Sequence, residues 1–184
     1  RQMCIRDSVI IAPNHISYFD PHLSFMAVRR PCTFMAKKEL FESKLKSAIL
    51  SLCAFSVNRE KLEIATIRSV KDIIKTKNWH LCIFPQGGIH KDRKIENIKN
   101  GFVAIAKMAK QDILPIGITG TEELNWNPLK RGHIKLNIGT PISYELSDEE
   151  IVDEWCKQIC ELTGYENANK HETAEANQTI SNSK

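Results

Sequence analysis

The sequence predicts a single α/β domain with a mostly parallel or mixed central sheet flanked by helices. Three observations predict it. Short apolar runs alternate with amphipathic helical patterns, polar clusters follow directly after the apolar runs, and a length of 184 residues fits one domain. Hydrophobic residues make up 42% of the chain, which is enough to form a substantial core.

The first third of the chain begins with an apolar run at 9–12 that reads as a buried strand ending at Pro13. Asp20-Pro21 then predicts the start of a helix that extends to about residue 30, because Asp is a favoured N-cap and Pro fits the first helical position. A second strand is predicted at 32–36. Residues 38–54 follow with apolar side chains on one helical face.

The middle third contains a short strand at 55–57 and an amphipathic helix over 62–77. A buried strand is predicted at 81–84. The two glycines after it, in the segment 85–88, indicate a turn. Residues 89–100 are polar, and we expect a loop there.

The last third is predicted to contain a short helix over 102–109 and strands over 113–118 and 134–138. Ser147 and Glu150 have the spacing of a capping box, which predicts the start of a helix. The apolar residues expected on the buried face of that helix are Ile151, Trp155, Ile159 and Leu162. The helix is expected to end at Gly164, which fits the C′ position.

The two ends of the chain differ in pattern from the rest. Residues 1–8 lack periodicity and resemble translated sequencing-adapter read-through, so we expect a non-native end and a domain, at 9–165, that is truncated at its N-terminus. Residues 166–184 are polar with almost no apolar side chains, and we expect a disordered tail.

Composition excludes several classes of protein. The net charge of +4 is too small to indicate nucleic acid binding, although it suits a phosphate or an anionic membrane surface. The longest nearly apolar stretch, 47–57, is about half the roughly 20 residues that span a bilayer. The six cysteines form no C-x-x-C pair, so we expect a reducing compartment without structural disulfides.

The first polar cluster is Asn14-His15 followed by Asp20, directly after the first strand. On a regular helix, residues 15 and 20 would be about 140° apart. They can therefore meet only if His15 lies in the turn before a helix that starts near Asp20. In that geometry Asp20 orients the imidazole, and His15 acts as a general base. Two alternatives stay open, a simple helix cap and a metal site that adds His22.

Two further clusters follow predicted strands, at the position where open α/β sheets place their sites. Lys37 and Arg59 are cations suited to bind a phosphate; the alternative is ordinary solvated charge. In the segment 84–88, Gly87 and Gly88 would let a ligand approach the backbone closely. The alternative there is an ordinary tight turn.

Taken together, these segments resemble the 1-acyl-glycerol-3-phosphate acyltransferase (PlsC-like) family over residues 8–142. Five blocks in the same order carry the resemblance, and no block alone is specific. They are Asn14-His15 with Asp20, Ala36-Lys37-Lys38-Glu39-Leu40, Phe55-Ser56-Val57-Asn58-Arg59, Phe84-Pro85-Gln86-Gly87-Gly88-Ile89 and Leu114-Pro115-Ile116-Gly117-Ile118.

The resemblance implies a role for each cluster. His15, oriented by Asp20, would deprotonate the hydroxyl of a lysophosphatidic acid-type lipid, which then attacks an acyl thioester of coenzyme A or acyl-carrier protein. Arg59 and Lys37 would hold the acceptor's phosphate, and the 84–88 turn would shape its pocket. No metal or organic cofactor is implied. The expected location is peripheral, at the cytoplasmic side of a membrane.

The fourth block departs from the family pattern, F-P-E-G-T-R. Gln86 replaces glutamate, Gly88 replaces threonine and Ile89 replaces arginine. We expect Gln86 to donate a hydrogen bond to the acceptor's phosphate, because an amide can donate whereas a carboxylate only accepts. Three alternatives stay open: another lyso-lipid or amino-lipid acceptor, a catalytically degenerate lipid-binding domain, and a metal hydrolase.

Overall fold

The computed structural model describes residues 9–28, 31–37, 54–57, 79–121 and 133–169, with the backbone alone at 35–37 and 54–57. The elements in these ranges are β1 Ile10–Pro13, α1 Asp20–Val28, β2 Cys32–Lys37, β3 Ala54–Val57, β4 His80–Cys82, β5 Lys94–Ile95, α2 Gly101–Ala109, β6 Ile113–Thr119, β7 Lys135–Ile138, α3 Asp148–Thr163 and β8 Glu166–Asn167. The helices predicted over 38–54 and 62–77 lie outside the described residues.

The main sheet has the strand order β3-β2-β4-β1-β6-β7. Each described neighbour pair from β3 to β6 is parallel, and β7 pairs with β6 in the antiparallel direction. The prediction of a mostly parallel or mixed sheet is therefore confirmed. Parallel strands are usually covered on both faces, and β1 and β6 are accordingly apolar and buried along almost their whole length.

Alternate residues of β1 face two separate cores, as the two-residue period of a strand requires. Ile10 and Ala12 belong to the core formed with α2 and α3, whereas Ile11 belongs to the core that α1 covers. Trp155 of α3 is fully buried, and its Nε1 donates to the Ala12 carbonyl oxygen at 2.9 Å. This bond fixes α3 against the strand that leads into the first polar cluster.

The predicted start and end of α3 are confirmed. Ser147 Oγ accepts from the Glu150 N–H at 3.2 Å, and Glu150 Oε2 accepts from the Ser147 N–H at 2.9 Å. Gly164 ends the helix with a left-handed φ of 73°, and its N–H donates to the Cys160 carbonyl. Residues with a β-carbon rarely adopt that φ, so glycine suits this position.

Two predictions about loops need correction. Residues 89–100 contain the two-residue strand β5, which pairs with β8. Residues 166–169, expected in the disordered tail, are therefore ordered, and the Ala168 N–H donates to the Ile95 carbonyl at 3.0 Å. Composition missed this pairing because it is made by backbone groups, which every residue carries. Residues 170–184 lie outside the described ranges.

Candidate active site

The candidate site lies where three parallel strands end at one edge of the sheet. β1 is paired with β4 on one side and with β6 on the other. The segments that leave these strands contain His15, Gln86 and Thr121, respectively. Strand pairing thus brings together residues that are 35 to 106 positions apart in the sequence.

The predicted contact between His15 and Asp20 is formed. His15 lies in the loop after β1, α1 begins at Asp20, and His15 Nδ1 is 3.0 Å from Asp20 Oδ2. This is the geometry that the spacing required, with the histidine before the helix rather than inside it. Their catalytic roles stay predictions.

The Asp20 carboxylate is fully buried and accepts three further hydrogen bonds. Oδ2 accepts from the Ile16 N–H at 2.6 Å and the Ser17 N–H at 2.7 Å, and Oδ1 accepts from Thr121 Oγ1 at 2.8 Å. All of these donors lie outside α1, so the alternative in which Asp20 serves only as a helix cap is wrong. These donors satisfy the hydrogen-bonding capacity of a polar side chain that has no contact with solvent.

Two residues hold the His15 ring, Asp20 at Nδ1 and Phe84 at one face. Asp20 Oδ2 already accepts from two backbone N–H groups, so it also acts as the acceptor toward His15 Nδ1, which carries the hydrogen in this contact. The ring stacks on Phe84, with a centroid separation of 4.1 Å and an interplanar angle of 25°. No described residue hydrogen-bonds Nε2, and 16% of the side chain remains exposed. Nε2 is therefore placed to take a proton from a bound molecule.

Asn14 fixes the loop to the sheet. Its Nδ2 donates to the Ile118 carbonyl at 2.9 Å, and its Oδ1 accepts from the Ile118 N–H at 2.7 Å. The fully buried side-chain amide thus binds both backbone polar groups of Ile118 and ties the chain just after Pro13 to β6. His15 leaves the sheet from this anchored position.

The 84–88 turn packs against His15. Phe84 supplies the stacked ring, and the Pro85 carbonyl accepts from the Lys99 N–H at 2.9 Å. Gly87 has a φ of 69°, which favours glycine. Among the described residues, a β-carbon at Gly88 would meet only one group within 4 Å, His90 Nε2 at 3.8 Å, so these residues leave space beside Gly88.

Gln86 does not stand where the sequence interpretation placed it. It is only 3% exposed, its Oε1 accepts from the His15 N–H at 3.1 Å, and its Nε2 donates to the Lys94 carbonyl at 3.2 Å. Donation by Gln86 to an acceptor's phosphate is therefore contradicted by the geometry. The spacing of the block could not reveal that both ends of the amide are directed into the protein.

The structure describes one of the two predicted phosphate-binding cations. Lys37 is the last residue of β2, opposite Val57 of β3. Because β2 is parallel to β4, Lys37 stands at the same edge of the sheet as the 84–88 turn. Arg59 lies outside the described residues, two positions after β3 ends.

Thr121 is the site residue that sequence interpretation missed. It is fully buried two residues after β6, and its hydroxyl donates to Asp20. The available signal was its position, because β6 ends at the same edge as β1. A lone threonine after a strand has no distinctive spacing, however, and its partner is 101 positions away in the sequence.

An apolar cavity of about 410 Å³ adjoins α1 and β2. Its lining residues are Pro21, His22, Phe25, Met26, Pro31, Cys32, Phe34 and Trp79. Phe34 also lies against Phe84, with ring centroids 6.4 Å apart. Since Phe84 stacks on His15, two aromatic rings connect the cavity wall to the imidazole.

The described residues support neither a metal site nor a reactive cysteine. No group of three or more His, Cys, Asp or Glu side chains there is arranged to hold a metal ion, and His22 of the metal interpretation lines the apolar cavity. Burial raises the pKa of the Cys32 thiol to about 12 and that of Cys82 well above its ordinary value. These thiols are therefore protonated near neutral pH and are poor nucleophiles.

Comparisons with known proteins all find similarity to acyltransferases. The model of the acyltransferase family matches residues 2–119. A 1-acyl-sn-glycerol-3-phosphate acyltransferase of Streptococcus pneumoniae is 32% identical over 142 residues, which cover 76% of this chain and 51% of the relative. The enzyme of that name from Cocos nucifera is 27% identical over 153 residues, with 79% of this chain and 49% of the relative covered.

The fold is similar to the crystal structure of the 1-acyl-sn-glycerophosphate acyltransferase PlsC from Thermotoga maritima. The TM-score is 0.60 at 20% identity, covering 85% of this chain and 66% of that one. This chain spans about half the length of the curated relatives it matches.

The hydroxyl of Thr121 gives a direct test of the Asp20 environment. Thr121→Val should lower the free energy of unfolding by about 1–3 kcal/mol, because it leaves Asp20 Oδ1 buried without its donor. Urea denaturation followed by circular dichroism measures the loss. Thr140→Val is the control, since Thr140 is exposed and should change stability by no more than about 0.5 kcal/mol. Equal losses in both variants would contradict the assignment.

Proposed function

The chain belongs to the acyltransferase family, and from this premise we propose that it moves an acyl group from an acyl thioester to the free hydroxyl of 1-acyl-glycerol-3-phosphate, giving phosphatidic acid. The observation that carries the proposal is the His15–Asp20 pair, in which a buried carboxylate holds Nδ1 and no residue of the described ranges hydrogen-bonds Nε2. A general base needs this arrangement, because one nitrogen must be fixed while the other exchanges a proton.

The reaction uses His15 twice. Nε2 removes the proton of the acceptor hydroxyl as its oxygen attacks the thioester carbonyl carbon, and Asp20 stabilises the imidazolium that forms. The C–S bond then breaks, and the proton on Nε2 goes to the departing thiolate. The products are an ester and a free thiol, and His15 returns to its starting form.

The donor is acyl-CoA or acyl-carrier protein. Attack on an activated thioester requires proton transfer and positioning, which side chains supply, so the proposed reaction uses no metal or organic cofactor. The apolar cavity supports the use of an acyl substrate. Its wall at Phe34 is linked through Phe84 to the His15 ring, so a chain bound there would end near the imidazole.

A second candidate function keeps the chemistry and changes the acceptor. Gly88 and Ile89 stand where the resembled block has threonine and arginine, and the structure leaves open space beside Gly88. This observation favours a different lyso-lipid or amino-lipid acceptor. A panel of such acceptors with one labelled acyl donor separates the two candidates. A wild-type protein that binds lipid but releases no thiol with any acceptor would instead indicate a degenerate lipid-binding domain.

A membrane surface is the proposed place of action, at its cytoplasmic side. Among the described helices, none is long and apolar enough to cross a membrane. Four large apolar side chains are exposed on α1 or just before it: Tyr18 at 80%, Met26 at 64%, Phe25 at 47% and Phe19 at 36%. Together with the net charge of +4, they suit peripheral contact with an anionic lipid surface.

Replacement of the base gives the first activity test. His15→Ala should lower the rate of transfer by about 10²–10⁴-fold, because the acceptor hydroxyl loses its proton acceptor. Release of free thiol from a labelled acyl thioester measures the rate, and circular dichroism checks the fold. His133→Ala, at an exposed histidine, should retain activity. A His15→Ala variant within about threefold of the wild-type rate would refute His15 as the base.

Arg59→Ala tests binding of the acceptor's phosphate. The acceptor KM should rise roughly 10- to 150-fold, the equivalent of a charged hydrogen bond of about 1.5–3 kcal/mol, while the donor KM stays unchanged. Steady-state kinetics with each substrate varied in turn measure both constants. Lys157→Ala is the control, since Lys157 is 66% exposed on α3. A rise confined to the donor KM would argue against this role.

Membrane contact predicts sedimentation with lipid vesicles. The protein should sediment with vesicles that contain anionic lipid, and less of it should do so as salt is raised from about 0.05 to 0.5 M, because salt screens surface charge. Vesicles of neutral lipid are the control. No sedimentation with anionic vesicles at low salt would contradict surface binding by this chain.

A further inference from the structure

Gln86 connects the loop of the proposed base to β5. Its side chain is 3% exposed and uses both ends of its amide. Oε1 accepts from the backbone N–H of His15 at 3.1 Å, and Nε2 donates to the Lys94 carbonyl at 3.2 Å. One side chain therefore joins the segment after β1 to the segment after β4.

The segment after β4 holds His15 at two further points. The His90 N–H donates to the His15 carbonyl at 2.8 Å, and the Phe84 ring stacks on the imidazole. Together with Gln86, these contacts hold the N–H, the carbonyl and the ring of His15. Asp20 binds Nδ1 of His15 and the N–H groups of the two residues that follow it, whereas the N–H and the carbonyl of His15 itself are both bound from the segment after β4.

We propose that Gln86 is a positioning residue for His15, and that an amide is required there because one end must accept a hydrogen bond while the other donates. The proposal rests on the proposed function in that His15 is taken as the base. It also explains the departure from glutamate in the resembled block. An ionised glutamate could still accept from the His15 N–H, but its second oxygen would face the Lys94 carbonyl oxygen.

Three variants test the proposal. Gln86→Met has similar length and makes neither hydrogen bond. Gln86→Glu retains the acceptor and loses the donor. Gln158→Met is the matched control, since Gln158 is also a buried glutamine whose Oε1 accepts from a backbone N–H, that of Thr140 at 2.9 Å, but it does not contact His15.

Kinetics distinguish positioning from binding of the acceptor. Gln86→Met should lower kcat roughly 10- to 100-fold, because a small displacement of a catalytic group has effects of this size. Gln86→Glu should also lower kcat. In both variants the acceptor KM should stay within about twofold of the wild-type value, and Gln158→Met should leave kcat unchanged. An unchanged kcat with a raised acceptor KM would overturn the proposal, as would a Gln86→Glu variant with wild-type or higher kcat.

Hydrogen exchange provides a readout that does not need activity. NMR-detected exchange of the His15 amide should be at least about tenfold faster in Gln86→Met than in wild type, since local opening governs exchange. In Gln86→Glu and Gln158→Met that amide should stay protected. Unchanged protection in Gln86→Met would overturn the proposal. If wild-type protein transfers no acyl group, the proposed function fails, but this measurement still decides whether Gln86 positions His15.

Discussion

The buried carboxylate of Asp20 is the constraint on which the site depends. A fully buried ionised side chain is costly unless hydrogen-bond donors surround it, and Asp20 has four. Two of these donors are backbone N–H groups of the loop after β1, one is Thr121 after β6, and one is the His15 ring. Stabilising this one charge therefore fixes the loop conformation, the start of α1 and the orientation of the imidazole at the same time.

The central sheet makes this convergence possible. β4, β1 and β6 run in parallel, so the segments that follow them leave from one edge. The side-chain amide of Asn14 extends the pairing with β6 beyond Pro13 by binding both backbone polar groups of Ile118. Trp155 of α3 donates to the Ala12 carbonyl of the same strand. The loop that carries His15 thus begins from a strand that is paired on both sides and fixed to α3.

The segment between β4 and α2 resembles a block that was expected to shape the acceptor pocket, but several of its described contacts are with His15. Phe84, Gln86 and His90 all contact His15, and Gln86 and His90 do so through hydrogen bonds with its backbone. Gly87 closes the turn, since its N–H donates to the Phe84 carbonyl at 3.0 Å, whereas a β-carbon at Gly88 would meet only His90 Nε2 among the described residues. If His15 is the base, as we propose, one block of sequence holds the base through some residues and leaves a neighbouring position free to vary.

The sequence by itself determined the features that local spacing and periodicity encode. These are the α/β class, the capping box of α3, the apolar strands, and the contact between His15 and Asp20, which a five-residue spacing allows in only one local geometry. The family resemblance rests on the order of its blocks and is likewise a property of sequence.

Only the tertiary structure decided which groups complete the site. Thr121 reaches Asp20, Gln86 turns inward to the His15 N–H and the Lys94 carbonyl, and β8 pairs with β5. Each of these contacts joins segments that are 8 to 101 positions apart, and the direction of each side chain depends on strand pairing and burial. Residue spacing cannot specify such directions, because the same polar side chain can face solvent, a ligand or a buried backbone group, and only the packed fold selects among them.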